Sequence, residues 1–567
     1  MNKFSTMFLA FAASATMFSC SSDEPGAGVV TPSEGNIYAT LTLSLPQGRS
    51  TTTEGNDNTN SDAGYENGND KENKVGSVLV VLASKVDNGN YTYITSNLAD
   101  AHTSTTNNTR PTYNIQFETR ELIEQAGNEV YVFAYCNPTA KLVEAAETGF
   151  TNGFVDEMGN IEDASIWTPN GFLMSNAQVT SCTLPSKTQM DEFYNTPENP
   201  FNLGIVKVER TAARFDFKQT QIVGQDEANL YPIYNNENFE LGEDGKPVKK
   251  ELLGYVKLDG MALMNVAKNY YYLPRVSADG MAQDVTICGA ETPSNYIVSP
   301  FATQKSATEL DLSFIRNEYL YNCLPENATA LTFETLSYDA LSTSLGEDDD
   351  ENWGNNIPGF DKKGYNIWKY TVENTIPEVE TQRKGITSGI VFKGHIVPVA
   401  GTKLAEAMNG TNIIYAFNGV IYGNLELLKK AVVEKPVSSL AETFKAAFDI
   451  SDLNEETLAD ITTDLTESKG FTIYRPVNGE YPVYYPYYNR HNDNGNNTVM
   501  GPMEFSVVRN NVYKIAVQNI IEFGHTGNPG DDPDPEIPEN PDETPKTYFR
   551  VQVQVLPWVV RVNNIIL

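Results

Sequence analysis

Cysteine and histidine are scarce in this chain. It has five cysteines and four histidines among 567 residues, and no two cysteines have the CxxC spacing of a structural zinc site. Beyond Cys20, the other four cysteines are widely scattered; they allow three pairings, and the sequence does not choose among them. These features exclude a disulfide-rich scaffold.

Catalytic and nucleotide-binding motifs are also missing. No histidine stands in an HExxH motif, and there is no GxSxG, P-loop or Rossmann fingerprint. Residues 490–495, which include His491, carry metal-capable side chains, but their Asn, Asp and Gly content is more typical of a turn. The acidic run at residues 347–351 lacks the spaced ligands of an EF-hand and is more typical of a solvated loop than of a calcium site. We predict no enzyme activity, no metal and no cofactor.

Basic residues are few relative to acidic ones. The chain has 40 Lys and Arg against 74 Asp and Glu, a formal net charge of −34. Nucleic-acid surfaces need basic side chains to neutralise phosphates, so this balance excludes nucleic acid as a partner. It fits a soluble exterior that repels its own copies.

A continuous apolar run suited to a targeting signal occurs at the amino terminus. Lys3 precedes apolar residues 7–13, and Ser19 and Cys20 follow. The run is too short to span a bilayer, so it predicts a signal peptide over residues 1–19. Because Cys directly follows the expected cut, we predict an outer-membrane lipoprotein precursor acylated with palmitate at Cys20. A plain secreted protein is the alternative.

Two segments near the chain ends alternate strictly between apolar and polar residues, which predicts strands with one buried face. The first covers residues 37–45 and the second starts at residue 548. The predicted inward residues of the first strand are Ile37, Ala39, Leu41, Leu43 and Leu45. The predicted functional residues of the second are Phe549, Val551, Val553, Val555, Pro557, Trp558, Val560 and Val562.

An acidic, proline-rich tether over residues 526–546 precedes the last strand. Its composition keeps it extended and solvated, with a reach of up to ~60 Å at ~3.1 Å per residue. The last strand can therefore reach its own chain or a neighbouring molecule. An ordinary final strand after a long surface loop is the alternative.

Arg49 is the only Lys or Arg between Cys20 and Lys71. It lies in a polar stretch without core-forming residues, which we expect to be mobile and open to proteases. Cleavage between Arg49 and Ser50 by an arginine-directed protease would remove the lipid and the first strand together. A sheet with an open edge would remain.

Strand-like segments separated by short helices fill the rest of the chain. They predict a mostly β protein with two antiparallel β-sandwich domains, the second with a helical insertion near residues 424–462. Residues 213–217 are expected to close the first domain. The predicted organisation is a signal peptide (1–19), a propeptide (20–49), a flexible segment (50–73), two sandwiches (74–224 and 225–525), the tether (526–546) and a terminal strand (547–567).

Several short sequence words occur in a fixed order along the chain. They are VYVFAYCNP (130–138), ERTAAR (209–214), NYIVSP (295–300), YTVENT (370–375), QRKGITSGIVF (382–392), RHND (490–493), FSVVRNNVY (505–513) and VQVLPW (553–558). Together with the two terminal strands, these words resemble the fimbrilins of Bacteroidales type V pili. Among them, the chain is most similar to the major subunit of the short, or minor, fimbriae. The likeness spans nearly the whole chain.

The resemblance implies transthyretin-like sandwiches, export as a lipoprotein, and removal of the first strand by an arginine-directed protease. The carboxy-terminal strand of another subunit then fills the vacated groove, and the resulting fibre serves adhesion and biofilm formation. On this sequence the cut falls at Arg49–Ser50, the displaced strand is residues 37–45, and the donor strand runs from residue 548 to about 566 with a bend at Pro557 and Trp558. The implied partners are further copies in head-to-tail order, tip and anchor subunits, a maturation protease, and host or bacterial surface ligands.

Two other interpretations stay open at this point. The chain could be a tip or anchor subunit of the same pilus. It could also be a monomeric glycan-binding surface lipoprotein that uses the tyrosine clusters at residues 270–272 and 484–488 as stacking platforms. The commoner explanation of such clusters is that alternate tyrosines fill sandwich cores.

Overall fold

The computed structural model describes most of the chain between residues 36 and 559. The described residues are 36–45, 66–68, 70–87, 89–104, 112–151, 153–220, 227–234, 240–241, 247–249, 252–277, 285–288, 296–304, 311–321, 331, 333–336, 366–376, 386–418, 420–466, 469–496, 499–526 and 549–559. The predicted sites at Cys20, Arg49, Ser50, Val560 and Val562 lie outside these residues, as does nearly all of the tether.

Strands make up most of the regular structure, so the mostly β class predicted from the sequence, with β-sandwich architecture, is confirmed. The strands of the amino-terminal part are β1 (Ile37–Ser44), β2 (Glu66–Asn67), β3 (Ser77–Asp87), β4 (Asn90–Asp100), β5 (His102–Ser104), β6 (Thr112–Thr119), β7 (Glu129–Cys136), β8 (Met158–Asn160), β9 (Trp167–Thr168), β10 (Gly171–Phe172), β11 (Met174–Asn176), β12 (Thr180–Thr183), β13 (Phe201–Arg210) and β14 (Ala213–Lys218).

The carboxy-terminal part has longer central strands among many short ones. They are β15 (Leu230–Tyr234), β16 (Glu240–Leu241), β17 (Pro247–Lys249), β18 (Leu252–Met264), β19 (Val266–Ala267), β20 (Asn269–Tyr271), β21 (Arg275–Ser277), β22 (Val285–Ile287), β23 (Tyr296–Ile297), β24 (Leu320–Tyr321), β25 (Glu334–Thr335), β26 (Asn366–Thr371), β27 (Asn374–Thr375), β28 (Gly389–Pro398), β29 (Ile414–Phe417), β30 (Val420–Tyr422), β31 (Thr472–Tyr474), β32 (Pro482–Tyr488), β33 (Ser506–Val507), β34 (Asn511–Ile520) and β35 (Phe549–Val559).

The helices of the described residues are short. They are α1 (Asp70–Asn73), α2 (Glu121–Glu124), α3 (Ala140–Glu147), α4 (Lys187–Phe193), α5 (Leu312–Glu318), α6 (Lys403–Ala407), α7 (Leu425–Glu434), α8 (Ser439–Phe448) and α9 (Glu455–Asp460), with 3₁₀ turns at Phe154–Asp156 and Pro300–Gln304. The predicted helical insertion corresponds to α7, α8 and α9. Each begins after a side-chain cap, from Asn424, Ser438 and Asn454 respectively.

The first large sheet curls back on itself. Its strand order is β4-β3-β7-β11-β13-β1-β6-β5, with β12 also paired to β7. The strands at the two ends of this order, β4 and β5, are separated along the chain only by Ala101. The Asn97 amide of β4 also donates to the Glu118 carbonyl of β6 at 3.2 Å, so the two ends of the sheet lie side by side around a core that includes Leu41, Val80, Val132 and Val206.

Two further sheets pack around a second core. One has the order β2-β35-β34-β14-β26, and the other β15-β18-β28-β32 with β25 attached to β18. Phe215, Phe392, Tyr485 and Ile515 belong to the core between them. Around Phe215 and Ile515 the strands β14 and β34 are buried on both faces.

Residues 213–217, which were expected to close the first domain, do not pair with the first sheet. The strand β14 follows β13 after only Thr211 and Ala212, but it pairs with β26 and, in parallel, with β34 of the second group of sheets. A short link between two consecutive strands looks like a hairpin in the sequence. Here the chain instead passes from one sheet to the next. The predicted domain bounds stay a prediction.

Candidate strand-exchange site

The strand β1 lies inside the first sheet and is paired on both sides. On one side it runs antiparallel to β6, from Ile37 opposite Thr119 to Ser44 opposite Thr112. On the other it runs parallel to β13, from Ala39 opposite Phe201 to Ser44. We call the slot between β6 and β13 the strand groove.

The inward side chains of β1 fill the first core. Ile37, Ala39, Leu41, Leu43 and Leu45 are each at most 5% exposed. Burial of the four large side chains contributes roughly 6–12 kcal/mol, at ~1.5–3 kcal/mol each. All five residues that the alternation predicts to point inward therefore fill the strand groove.

The outer face of β1 makes polar contacts with its neighbours. The Tyr38 N–H donates to the Tyr194 carbonyl at 2.9 Å. The Thr40 hydroxyl donates to the Ile115 carbonyl at 2.9 Å, and the Thr42 hydroxyl to Asn114 Oδ1 at 3.3 Å. Both threonines thus bond to β6 as well as completing the ladder.

The amino end of the strand groove is acidic on its outer face. Glu118 lies opposite Tyr38 and also accepts a hydrogen bond from the Asn36 amide. Partial burial, then the charge and hydrogen bond of Glu118, and finally the charge of Glu198 raise the pKa of Tyr38. At the other end, Ser44 lies opposite the exposed Lys207.

The parallel pairing of β13 with β1 contains a bulge. The register shifts between Thr40 and Thr42, where Gly204 has φ of +105°, a conformation that favours glycine. The next residue, Ile205, is 62% exposed on the outer face. The bulge had no clear sequence signal, because a lone glycine in a strand pattern fits several local structures.

The last strand lies on its own chain. The strand β35 runs antiparallel to β34, from Phe549 opposite Ile520 to Pro557 opposite Asn511. Its described part reaches Val559, within the predicted span of residue 548 to about 566. On its other side, among the residues that the structure describes, it pairs with the two residues of β2, in parallel. This placement corresponds to the alternative in which the final strand completes a sheet of its own chain.

The flexible segment predicted over residues 50–73 is wrong at its carboxy-terminal end. The helix α1 occupies Asp70–Asn73, and the Glu72 side chain is fully buried. Arg214 Nη1 donates to Glu72 Oε1 at 3.0 Å, and the Tyr370 hydroxyl donates to the same oxygen at 2.7 Å. Glu72 therefore joins this segment to β14 and β26.

The Glu72 contact is part of a larger buried network of charges. Arg214 also forms an ion pair with Asp216 at 2.8 Å, and Lys514 lies 3.8 Å from Asp216. Arg210, at the end of β13, donates from Nε to the Glu72 carbonyl at 3.0 Å. Buried charges persist when they are paired in this way. The network lies where the chain passes from the first sheet to the second.

The two tyrosine clusters singled out in the sequence differ: in the cluster at residues 484–488, Tyr485 is buried, whereas Tyr484, Tyr487 and Tyr488 are partly exposed. Tyr270, Tyr271 and Tyr272 are all at most 3% exposed, so these tyrosines are core residues rather than a stacking platform. In the described part of the chain, no cluster of three or more His, Cys, Asp or Glu side chains is placed to hold a metal ion. Across the same residues, no helix has the length and apolar character to span a bilayer.

Acid is expected to weaken this fold through His491. Burial lowers its pKa from 6.5 to about 4, and its Nδ1 lies 3.0 Å from the Tyr513 hydroxyl. Below pH 6.5 the unfolded chain binds a proton that the folded chain excludes down to about pH 4, so stability falls through this window. Between pH 7.5 and pH 5 we expect urea unfolding to show a loss of about 2 kcal/mol that His491→Gln lacks.

His395 provides an internal contrast for this measurement. Its hydrogen bond to Asp259 raises its pKa, so its contribution grows as the pH falls and is lost as the pH rises. Both proteins contain His395, so its effect cancels in the comparison. Equal pH sensitivity of the wild type and His491→Gln would contradict the prediction.

A family model matches the end of the chain. Residues 478–564 match the model described as "Major fimbrial subunit protein type IV, Fimbrillin, C-terminal". The match covers β34 and β35 and confirms the resemblance to fimbrillins stated from the sequence. It supports a fimbrial subunit role at the cell surface.

Solved structures of fimbrial proteins are similar to this chain at low identity. The tip fimbrial protein Mfa3 from Porphyromonas gingivalis is 10% identical, with a TM-score of 0.33 over 92% of this chain and 100% of that one. The fimbrilin FimA from Porphyromonas gingivalis W83 is 11% identical, with a TM-score of 0.35 over 93% of this chain and 99% of that one. No curated protein matches the sequence. Similarities this low do not establish a shared function.

Proposed function

We propose that this chain is a structural shaft subunit of a cell-surface fimbrium. It is exported as an outer-membrane lipoprotein acylated at Cys20, cut at Arg49, and polymerised by donor-strand exchange for adhesion and biofilm formation. The observation that carries the proposal is the position of β1, a doubly paired, buried strand that precedes the cut site in the chain.

Cleavage changes β1 from a covalent part of the chain to a bound peptide. While β1 is in place, β6 and β13 have no open edge at the strand groove. Loss of β1 exposes an apolar slot between two unpaired strand edges, the arrangement that most favours addition of another strand. The precursor is thereby protected from assembly until the protease acts.

The carboxy-terminal strand would form more backbone hydrogen bonds in the strand groove of another copy than it forms on its own chain. At home it forms one ladder with β34 and a two-residue contact with β2. In the strand groove of another copy it would form ladders with both β6 and β13. Each additional ladder bond contributes ~0.5–1.5 kcal/mol net. Exchange is therefore favoured once the strand groove is empty.

The geometry produces a filament rather than a closed pair. Each subunit would carry one strand to give and one groove to fill, and these are different surfaces. Such head-to-tail contacts are heterologous and propagate. A shaft subunit needs both features, whereas a tip needs only one of them. The partners are further copies, tip and anchor subunits, the maturation protease, and host or bacterial surface ligands.

The proposal is tested by controlled cleavage of the purified precursor. Treatment with an arginine-directed protease is expected to release a fragment ending at Arg49 and to start fibre growth, measured by mass spectrometry and electron microscopy. Arg49→Ala is expected to stay monomeric. Arg120→Ala, at an exposed arginine elsewhere, is the matched control and should assemble. A cut wild-type protein that remains as single particles would overturn the proposal.

A further inference from the structure

We propose that the incoming strand enters the strand groove in the same direction as β1, with Arg550 in the place of Tyr38 and beside the Glu118 carboxylate. This inference rests on the proposed function and fixes how a second copy of the chain is recognised. It assigns Glu118 a role in choosing the direction and register of the strand.

The outer faces at the two ends of the strand groove differ in charge. At the amino end of β1, the Tyr38 hydroxyl is hydrogen-bonded to Glu118 and feels the charge of Glu198. At the carboxyl end, Ser44 lies opposite Lys207. A strand with one charge near its start therefore binds better in one direction than in the other.

Arg550 is the only charged residue among residues 549–557, which would replace residues 37–45; Arg561 would lie beyond the strand groove. If the strand runs in the same direction as β1, Arg550 takes the place of Tyr38 and lies beside Glu118. If the same residues fill the strand groove in the opposite direction, Arg550 takes the place of Ser44 and lies beside Lys207. Cleavage also removes Asn36, which donates to Glu118 in the precursor. The arginine of the incoming strand replaces the donors that leave with the propeptide.

Proline excludes a shift of two residues in one direction. In the proposed register Pro557 takes the place of Leu45, one residue beyond the paired span Ile37–Ser44. A two-residue shift would put Pro557 in the place of Leu43, which pairs with both β6 and β13. Proline has no N–H for the ladder and is tolerated at strand ends rather than between two partners.

Side-chain size excludes the opposite shift. It would put Phe549 in the place of Ala39, which is fully buried and has the smallest inward side chain of β1. A phenylalanine ring there would overpack the core. In the proposed register Phe549 replaces Ile37, and the smaller Val551 replaces Ala39. Shifts by one residue turn every apolar side chain outward.

The polar face of the strand fits the same register. Gln552 and Gln554 take the places of Thr40 and Thr42, whose hydroxyls donate to acceptors on β6. A glutamine amide is also a donor. The register thus keeps a donor at both positions and puts Leu556 in the place of Ser44, opposite the exposed Lys207.

Pairs of introduced cysteines test the register. Thr40 lies opposite Gln116 and Thr42 opposite Asn114, so the proposal pairs Gln552 with Gln116 and Gln554 with Asn114 between subunits. Fibres of Q116C/Q552C and of N114C/Q554C, cut and then treated with a short thiol cross-linker, are expected to give covalent ladders on a denaturing gel. The crossed variants N114C/Q552C and Q116C/Q554C should not.

The controls separate this inference from the proposed function. All variants carry Cys182→Ser and Cys323→Ser, because Cys182 is only partly buried. Variants with only one introduced cysteine should then give no ladder, since Cys136 and Cys288 are buried. Ladders from the crossed variants, or fibres without ladders from either proposed pair, would overturn the register. If the cut wild-type protein forms no fibres at all, the proposed function fails instead.

Discussion

A chain truncated after Lys546 is expected to be exported and cut normally yet to form no fibres. It keeps the strand groove but has lost the strand that would enter the next subunit. Because ladder bonds and apolar burial by that strand supply the whole contact in the proposed assembly, its loss leaves no weaker alternative. Electron microscopy of the cut protein and its mass by light scattering check this result.

The truncated chain can also be used to control fibre length. It can accept a strand but cannot give one, so small amounts added to cut wild-type protein should end growing fibres and shorten them. A matched pair of point variants isolates the inward face: Val553→Asp should block assembly, whereas Leu556→Asp, in the place of Ser44 on the outer face, should not. Fibres of normal length from the truncated chain would contradict strand exchange.

The second large effect is expected from Glu72→Gln. The substitution removes a fully buried charge that pairs with Arg214 and accepts from Tyr370. Arg214 keeps its ion pair with Asp216, but the buried network loses a carboxylate and its positive charges are left undercompensated, which costs up to ~3–5 kcal/mol. The free energy of unfolding of the precursor, from urea titration, measures the loss.

An exposed ion pair provides the control for Glu72. Glu426 lies 2.8 Å from Lys429 on α7 and its side chain is 79% exposed. Pairs of this kind contribute ~0–1 kcal/mol, so Glu426→Gln should change the unfolding free energy little. Equal losses of unfolding free energy from the two substitutions would contradict the prediction that the buried ion pair of Glu72 contributes more than an exposed one.

The two terminal strands could be predicted because their signal is local. Alternation over residues 37–45 specifies a strand and its inward face without any knowledge of the partner strands. The caps Asn424, Ser438 and Asn454 likewise act on backbone groups within three residues, and the helices that follow them lie where expected.

The contacts that could not be predicted join distant parts of the chain. Glu72 pairs with Arg214, 142 residues later, and its local sequence is polar enough to resemble a mobile linker. The strand β2 is only two residues long, and its partner is β35 at the other end of the chain. For β14 the sequence correctly predicted a strand but not its sheet, because alternation does not identify the neighbouring strand.

The two-residue link between β13 and β14 has a mechanical consequence. β13 forms one wall of the strand groove, and β14 lies directly against β34, the strand that leads into the tether. Under the proposed assembly, tension along a fibre would enter through one of these strands and leave through the other, across a junction held by the Glu72–Arg214 pair. Pulling would then load whole ladders in shear, so that many bonds must fail together, and flow past the cell would stretch the shaft without peeling it apart.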